Sequence, residues 1–111
     1  MANLMNTAFL KPGGNVMLPD TVDMMSGSYF SVPKGDNGIL LYVDAKEGGY
    51  VTIEGGDGVF AGGDTTLYLV TGRHFLYLES GRYMKQTGEY KDHIVIKPTG
   101  GEMYAAVLQL I

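Results

Sequence analysis

Five glycine pairs cut this chain into short apolar runs: Gly13-Gly14, Gly48-Gly49, Gly55-Gly56, Gly62-Gly63 and Gly100-Gly101. Glycine reaches positive φ at low cost and weakens helices. Pairs at this spacing leave room for many short strands joined by tight turns and little for long helices. The total, 17 glycines in 111 residues, is about double the usual share. Between the pairs the pattern alternates. In residues 64–79, DTTLYLVTGRHFLYLE, Thr66, Tyr68 and Val70 point one way while Leu67 and Leu69 point the other. After Thr71-Gly72-Arg73 the alternation resumes, with Phe75 and Tyr77 opposing Leu76 and Leu78. Period two with β-branched and aromatic residues is the pattern of a strand. The break at Gly72 reads as a hairpin or a bent corner.

The same reasoning places strands over residues 28–32, 38–44, 50–54, 92–97 and 102–111. The run Ile39-Leu40-Leu41-Tyr42-Val43 is almost wholly apolar, as in a central strand covered on both faces. The last run is also apolar on both faces, with Met103, Ala105, Val107, Gln109 and Ile111 opposing Tyr104, Ala106, Leu108 and Leu110. It belongs in the centre of a sheet or beneath a partner. Asn37-Gly38 is a hairpin signal between the first two strands. Residues 57–64 read as a glycine-rich loop containing Val59 and Phe60, and residues 20–27 as a short helical turn or a loop. Tyr83 and Met84, in the connector over residues 81–88, are placed to plug the end of the core. Strands recurring at roughly 8–12 residues predict an all-β fold, a compact antiparallel β-sandwich or small jelly roll of about 7–8 short strands.

A length of 111 residues fits one domain. Residues 20–111 are expected to form the sandwich, and residues 1–19 an N-terminal arm or strap. That arm either lies on the sandwich as an edge strand or packs on a neighbouring subunit.

The formal net charge of −4 disfavours nucleic-acid and anionic-membrane partners. With no cysteine, disulfides, thiolate catalysis and cysteine-ligated metals are excluded. No basic segment followed by an apolar one opens the chain, so no secretory signal is expected. No apolar run approaches the ~18 residues of a membrane span. Folding in the cytoplasm is the expectation.

The residues able to do chemistry are few. His74 and His93 stand alone, without metal-ligand spacing. Glu79-Ser80-Gly81-Arg82 supplies a carboxylate, a hydroxyl and a guanidinium in one turn, but no base is placed for a serine nucleophile. Glu54 and Glu79 are carboxylates with nothing to set them across a groove. Asp57 and Asp64, in the glycine-rich loop, are a weak alternative calcium pair, lacking the periodicity of a calcium roll. No phosphate-binding glycine motif is present. The chain is read as a non-enzyme without a cofactor.

Eight tyrosines and seven methionines, with no tryptophan, suit a contact surface better than a catalytic cleft. The residues assigned to such contacts are Met5, Phe9, Leu10, Leu18, Tyr50, Tyr68, Tyr77 and Tyr83. They imply a homo-oligomer or docking on a larger assembly. The alternative is a carbohydrate-binding or adhesion module that stacks sugars on an exposed tyrosine row.

Residues 26–110 resemble a group of short tailed-phage structural proteins of the head decoration or cementing type. The likeness rests on Leu67, Leu69, Gly72, Phe75, Tyr83, Gln86, Gly88, Ile94, Ile96, Gly101, Ala106 and Val107. Upstream it rests on residues 38–43 followed by Val51-Thr52-Ile53. The chain has Val70-Thr71-Gly72 where the group has Pro-Ala-Gly, and residues 44–48 where the group has an Asn-rich turn. The resemblance implies a virion component that binds other virion proteins at capsid symmetry points, often as a trimer, with no catalytic residues.

Overall fold

The alternating runs become strands, and successive strands are dealt between two sheets. A computed structural model describes residues 2–33, 38–58 and 62–111. In chain order the elements are β1 (Asn3–Leu4), β2 (Thr7–Leu10), β3 (Val22–Asp23), β4 (Ser28–Ser31), β5 (Gly38–Ala45), β6 (Gly49–Ile53), β7 (Thr65–Leu69), β8 (Gly72–Glu79), α1 (Ser80–Tyr83), β9 (His93–Thr99) and β10 (Met103–Leu110). The first sheet runs β1-β4-β9-β6-β7. The second runs β2-β10-β5-β8, with β3 also paired to β10. The all-β sandwich is therefore the fold.

Period two decides which side chains fill the space between the sheets. From the first sheet come Phe30, Val51, Ile53, Ile94 and Ile96, all fully buried. Ile39, Leu41, Val43, Met103, Ala105 and Val107 face them from the second. Tyr83 belongs to this core, and Met84 packs against it. Tyr83 is buried, and its hydroxyl lies 2.8 Å from the Thr65 hydroxyl. Gln109 is, with Ser28 and Ser80, one of the buried polar residues, and its side-chain amide donates to the Ser31 carbonyl at 2.7 Å.

Several local expectations are corrected. The sheets are mixed rather than purely antiparallel, because β1 runs parallel to β4 and β2 parallel to β10. The break at Gly72 is a corner and not a hairpin: β7 ends in one sheet and β8 begins in the other. β4 and β5 likewise lie in different sheets, so the Asn37-Gly38 signal joins no hairpin. Residues 34–37 of that turn, and Val59 and Phe60 of the glycine-rich loop, lie outside the described residues. No helix forms over residues 20–27, where β3 instead pairs with Tyr104 and Ala105. Of the N-terminal segment, residues 3–10 are built into both sheets as edge strands.

The glycine pairs also act differently from one another. Gly100 and Gly101 have positive φ, as a turn requires. Gly49 does not, and it is needed for a close approach instead. A Cβ there would run into the backbone of Gly100, which crosses directly over it. Gly81, in α1, has open space around it. Overpacking against rigid backbone costs about 1–3 kcal/mol or more, whereas Ala for Gly at a compatible helical position gains about 0.4–1 kcal/mol. Gly49→Ala is therefore expected to lower the melting temperature by roughly 10 °C. Gly81→Ala should raise it slightly. Thermal unfolding of the two variants checks the pair, and equal melting temperatures would refute the distinction.

Candidate functional site

β5 and β10 carry apolar side chains at both parities, so they supply a core face and an outer face alike. On the outer face the register sets Tyr77, Leu40, Leu108 and Ala8 in one row across β8, β5, β10 and β2. The neighbouring rows contain Phe75 with Tyr42, and Gly38 with Leu110 and Leu10. Leu40, Tyr42, Leu108 and Leu110 are half-buried along this face. The Tyr42 and Phe75 rings pack with centroids 5.4 Å apart, tilted by 56°. Towards the edge strand the face opens: Phe75 and Tyr77 are 60% and 64% exposed. A groove of about 340 Å³ between Leu10, Pro12, Leu110 and Ile111 continues it at one end. The other end is charged, with Arg73 opposite Asp44 and Asp44 ion-paired to Lys46 at 3.0 Å.

The outer face of the first sheet has a different chemistry. Tyr50 and Tyr68 sit opposite one another on β6 and β7, edge to face at 5.1 Å, and both are exposed. The Thr52 and Thr66 hydroxyls beside them are 2.9 Å apart. Tyr29 packs on Tyr90 at 5.0 Å and on His93 at 5.5 Å. Glu54 accepts from Lys97 at 2.7 Å and Lys85 at 3.2 Å. Burial pushes the Glu54 carboxyl up, but the hydrogen bonds and charges of Lys97 and Lys85 outweigh it and hold the pKa below its ordinary value.

The residues assigned to contacts from the sequence divide into two groups. Phe9, Leu18, Tyr50, Tyr68 and Tyr77 are exposed, and Leu10 is half-buried at the groove. Met5 and Tyr83 are buried in the sandwich, which removes both from any surface of the folded chain. The exposed members do not form one patch, since Tyr50 and Tyr68 belong to the first sheet and Tyr77 to the second. Leu40, Tyr42, Phe75 and Leu108 complete the apolar face and were not singled out. The apolar parity of residues 38–43 and 102–111 is their signal, which reads as a strand covered on both faces or, for 102–111, as one beneath a partner.

The chemistry-bearing residues are held apart. His74 is on the second sheet, its Nε2 2.8 Å from the Val70 carbonyl. His93 is on the first, its Nδ1 2.7 Å from the Lys91 carbonyl. Glu54 and Glu79 likewise stand on different sheets. Ser80 is buried at the start of α1 rather than solvated in a turn. Asp64 accepts from the Gly55 N–H at 2.7 Å, while Asp57 accepts from the Gln86 N–H and from the Thr87 hydroxyl. Asp64 thus closes the glycine-rich loop onto Gly55, and Asp57 links that loop to the connector after α1. Among the described residues no three His, Asp or Glu side chains are grouped as metal ligands, and no helix is long and apolar enough to cross a membrane.

Comparison with protein-family models, with curated proteins and with solved structures finds no match.

The Glu54 triad carries a pH prediction. A carboxyl whose pKa is depressed by folding stabilises above its unfolded pKa, and that stabilisation is lost as pH falls through the folded value. Glu54→Gln is expected to melt a few degrees below the parent chain at neutral pH. The gap should close on acidification to about pH 3. A gap that is constant with pH would refute the ion-pair origin.

Proposed function

We propose that this chain is a non-enzymatic structural protein that docks through the outer face of its second sheet onto a larger assembly, as a head-associated component of a phage particle. The observation that carries the reading is the apolar character of that face. A sheet needs one apolar side to make a core. The second sheet has two, and the outer one leaves Phe75 and Tyr77 in solvent. Contiguous exposed apolar surface is costly for a free domain and marks an interaction site. An apolar middle with exposed aromatic side chains beside it and charges at the margin suits a protein contact. The resemblance of residues 26–110 to head decoration proteins supplies the class of assembly. Repetition over a shell multiplies modest individual contacts through effective concentration.

The test is cosedimentation of the purified chain with head shells of the phage that encodes it. The unmodified chain should pellet with the shells. Leu40→Lys combined with Leu108→Lys, at half-buried positions in the middle of the face, should abolish pelleting while circular dichroism stays β-rich. Pelleting that survives both changes would refute docking through this face.

The Tyr50–Tyr68 pair favours a second reading, an adhesion module that stacks a sugar ring on the first sheet. In that case oligosaccharide titration should shift the aromatic resonances of these two tyrosines. Unchanged resonances across a panel of neutral glycans would dismiss it.

A further inference from the structure

The strand order β2-β10-β5-β8 ends at β8, and among the described residues no strand pairs with its far side. Its eight residues span about 26 Å. They run in unbroken register with β5, from Gly72 opposite Ala45 to Glu79 opposite Gly38. Such an edge presents a row of unpaired N–H and C=O groups. Proteins that keep an edge free blunt it with proline, lysine, a bulge or brevity. The other terminal strands are brief: β7 has five residues, β2 four and β1 two. The sequence of β8, GRHFLYLE, has no proline and no lysine.

Its outward side chains, in order, are Arg73, Phe75, Tyr77 and Glu79, all exposed. That series is its own complement when reversed. Arg73 stands opposite Asp44, which is paired with Lys46, and Glu79 stands opposite Gly38. Among the described residues no ion pair includes Arg73 or Glu79.

We infer that a second copy of this chain pairs antiparallel with β8 about a two-fold axis normal to the sheet, midway between Leu76 and the second copy's Leu76. Such an axis keeps outer faces outward, so facing residues must share parity. In this register Arg73 faces the second copy's Glu79, and Phe75 faces the second copy's Tyr77, each twice by symmetry. Sliding by two residues one way sets Phe75 against Phe75 and Arg73 against Tyr77. Sliding the other way sets Tyr77 against Tyr77 and Phe75 against Glu79. A parallel pairing in register sets like charges side by side, which is unfavourable. The self-complement thus selects one register. The two second sheets become one continuous sheet with both apolar outer faces on the same side. The pairing concerns the free chain and stands whether or not the chain docks on a phage shell.

Sedimentation of the full chain from low to high micromolar concentration tests it. The expected result is a reversible species of twice the 12.0 kDa chain. Arg73→Glu and Glu79→Arg, each alone, should weaken association about tenfold or more, because each sets like charges in opposition twice per dimer. The double variant carrying both changes restores the opposition of unlike charges and should recover the dimer. Recovery separates a pairing effect from a folding defect, and thermal unfolding of each variant checks the fold directly. A monomer at every concentration, a trimer, or a dimer indifferent to the single reversals would overturn the inference.

Discussion

The antiparallel ladder between β5 and β10, eight residue pairs from Ala45 opposite Met103 to Gly38 opposite Leu110, is the contact on which the rest of the structure depends. β10 also holds β2 and β3, and β5 holds β8, so every strand of the second sheet reaches the others through these two. Their inner side chains supply seven of the eighteen described residues buried in the core: Ile39, Leu41, Val43, Ala45, Met103, Ala105 and Val107. Opposed β-branched and aliphatic pairs on each face of such a ladder each add a fraction of a kcal/mol beyond burial. The ladder is therefore both the frame of the sheet and the source of its second apolar face. The parity that does not fill the core makes that outer face.

The charges of the second sheet's outer face lie at its margins. The middle of the outer face, around Leu40 and Leu108, is apolar and carries little directional information. In the proposed pairing, Arg73 with Asp44 at one end and Glu79 at the other would provide direction, and the open backbone of β8 would provide register. The first sheet is built the opposite way. Its outer face carries hydroxyls, the Glu54–Lys97–Lys85 cluster and edge-to-face tyrosines. It is suited to water or to a polar ligand. The two faces of one sandwich thus differ in kind, although the tyrosine content alone does not distinguish them.

Much of the strand content was legible in the sequence, because short apolar runs rich in β-branched and aromatic residues between glycine breaks are a local property, and β5, β8 and β10 fall on such runs. What was not legible depends on distant segments. Nothing near Gly72 says that β7 and β8 belong to different sheets, since β8 finds its partner in residues 38–45. Gly49 looks like a turn glycine, and only the passage of Gly100 over it makes it a packing glycine. Residues 3–10 show no clear alternation because they divide between two sheets after only a few residues each. The candidate contacts show the same limit. Tyr77 and Tyr83 are the same residue type six positions apart. One lies outward on an edge strand, and the other turns in at α1, where Thr65 meets its hydroxyl.

Amide hydrogen exchange along β8, compared at low and high protein concentration, tests most directly whether the open side of the second sheet is an interface. In an antiparallel strand alternate N–H groups point to opposite sides, so half of the β8 amides are bonded to β5 and half face outward. The account predicts that the outward half becomes protected as concentration rises, while the amides of β7, the edge of the other sheet, do not change. Fast exchange of the outward β8 amides at every concentration would contradict it.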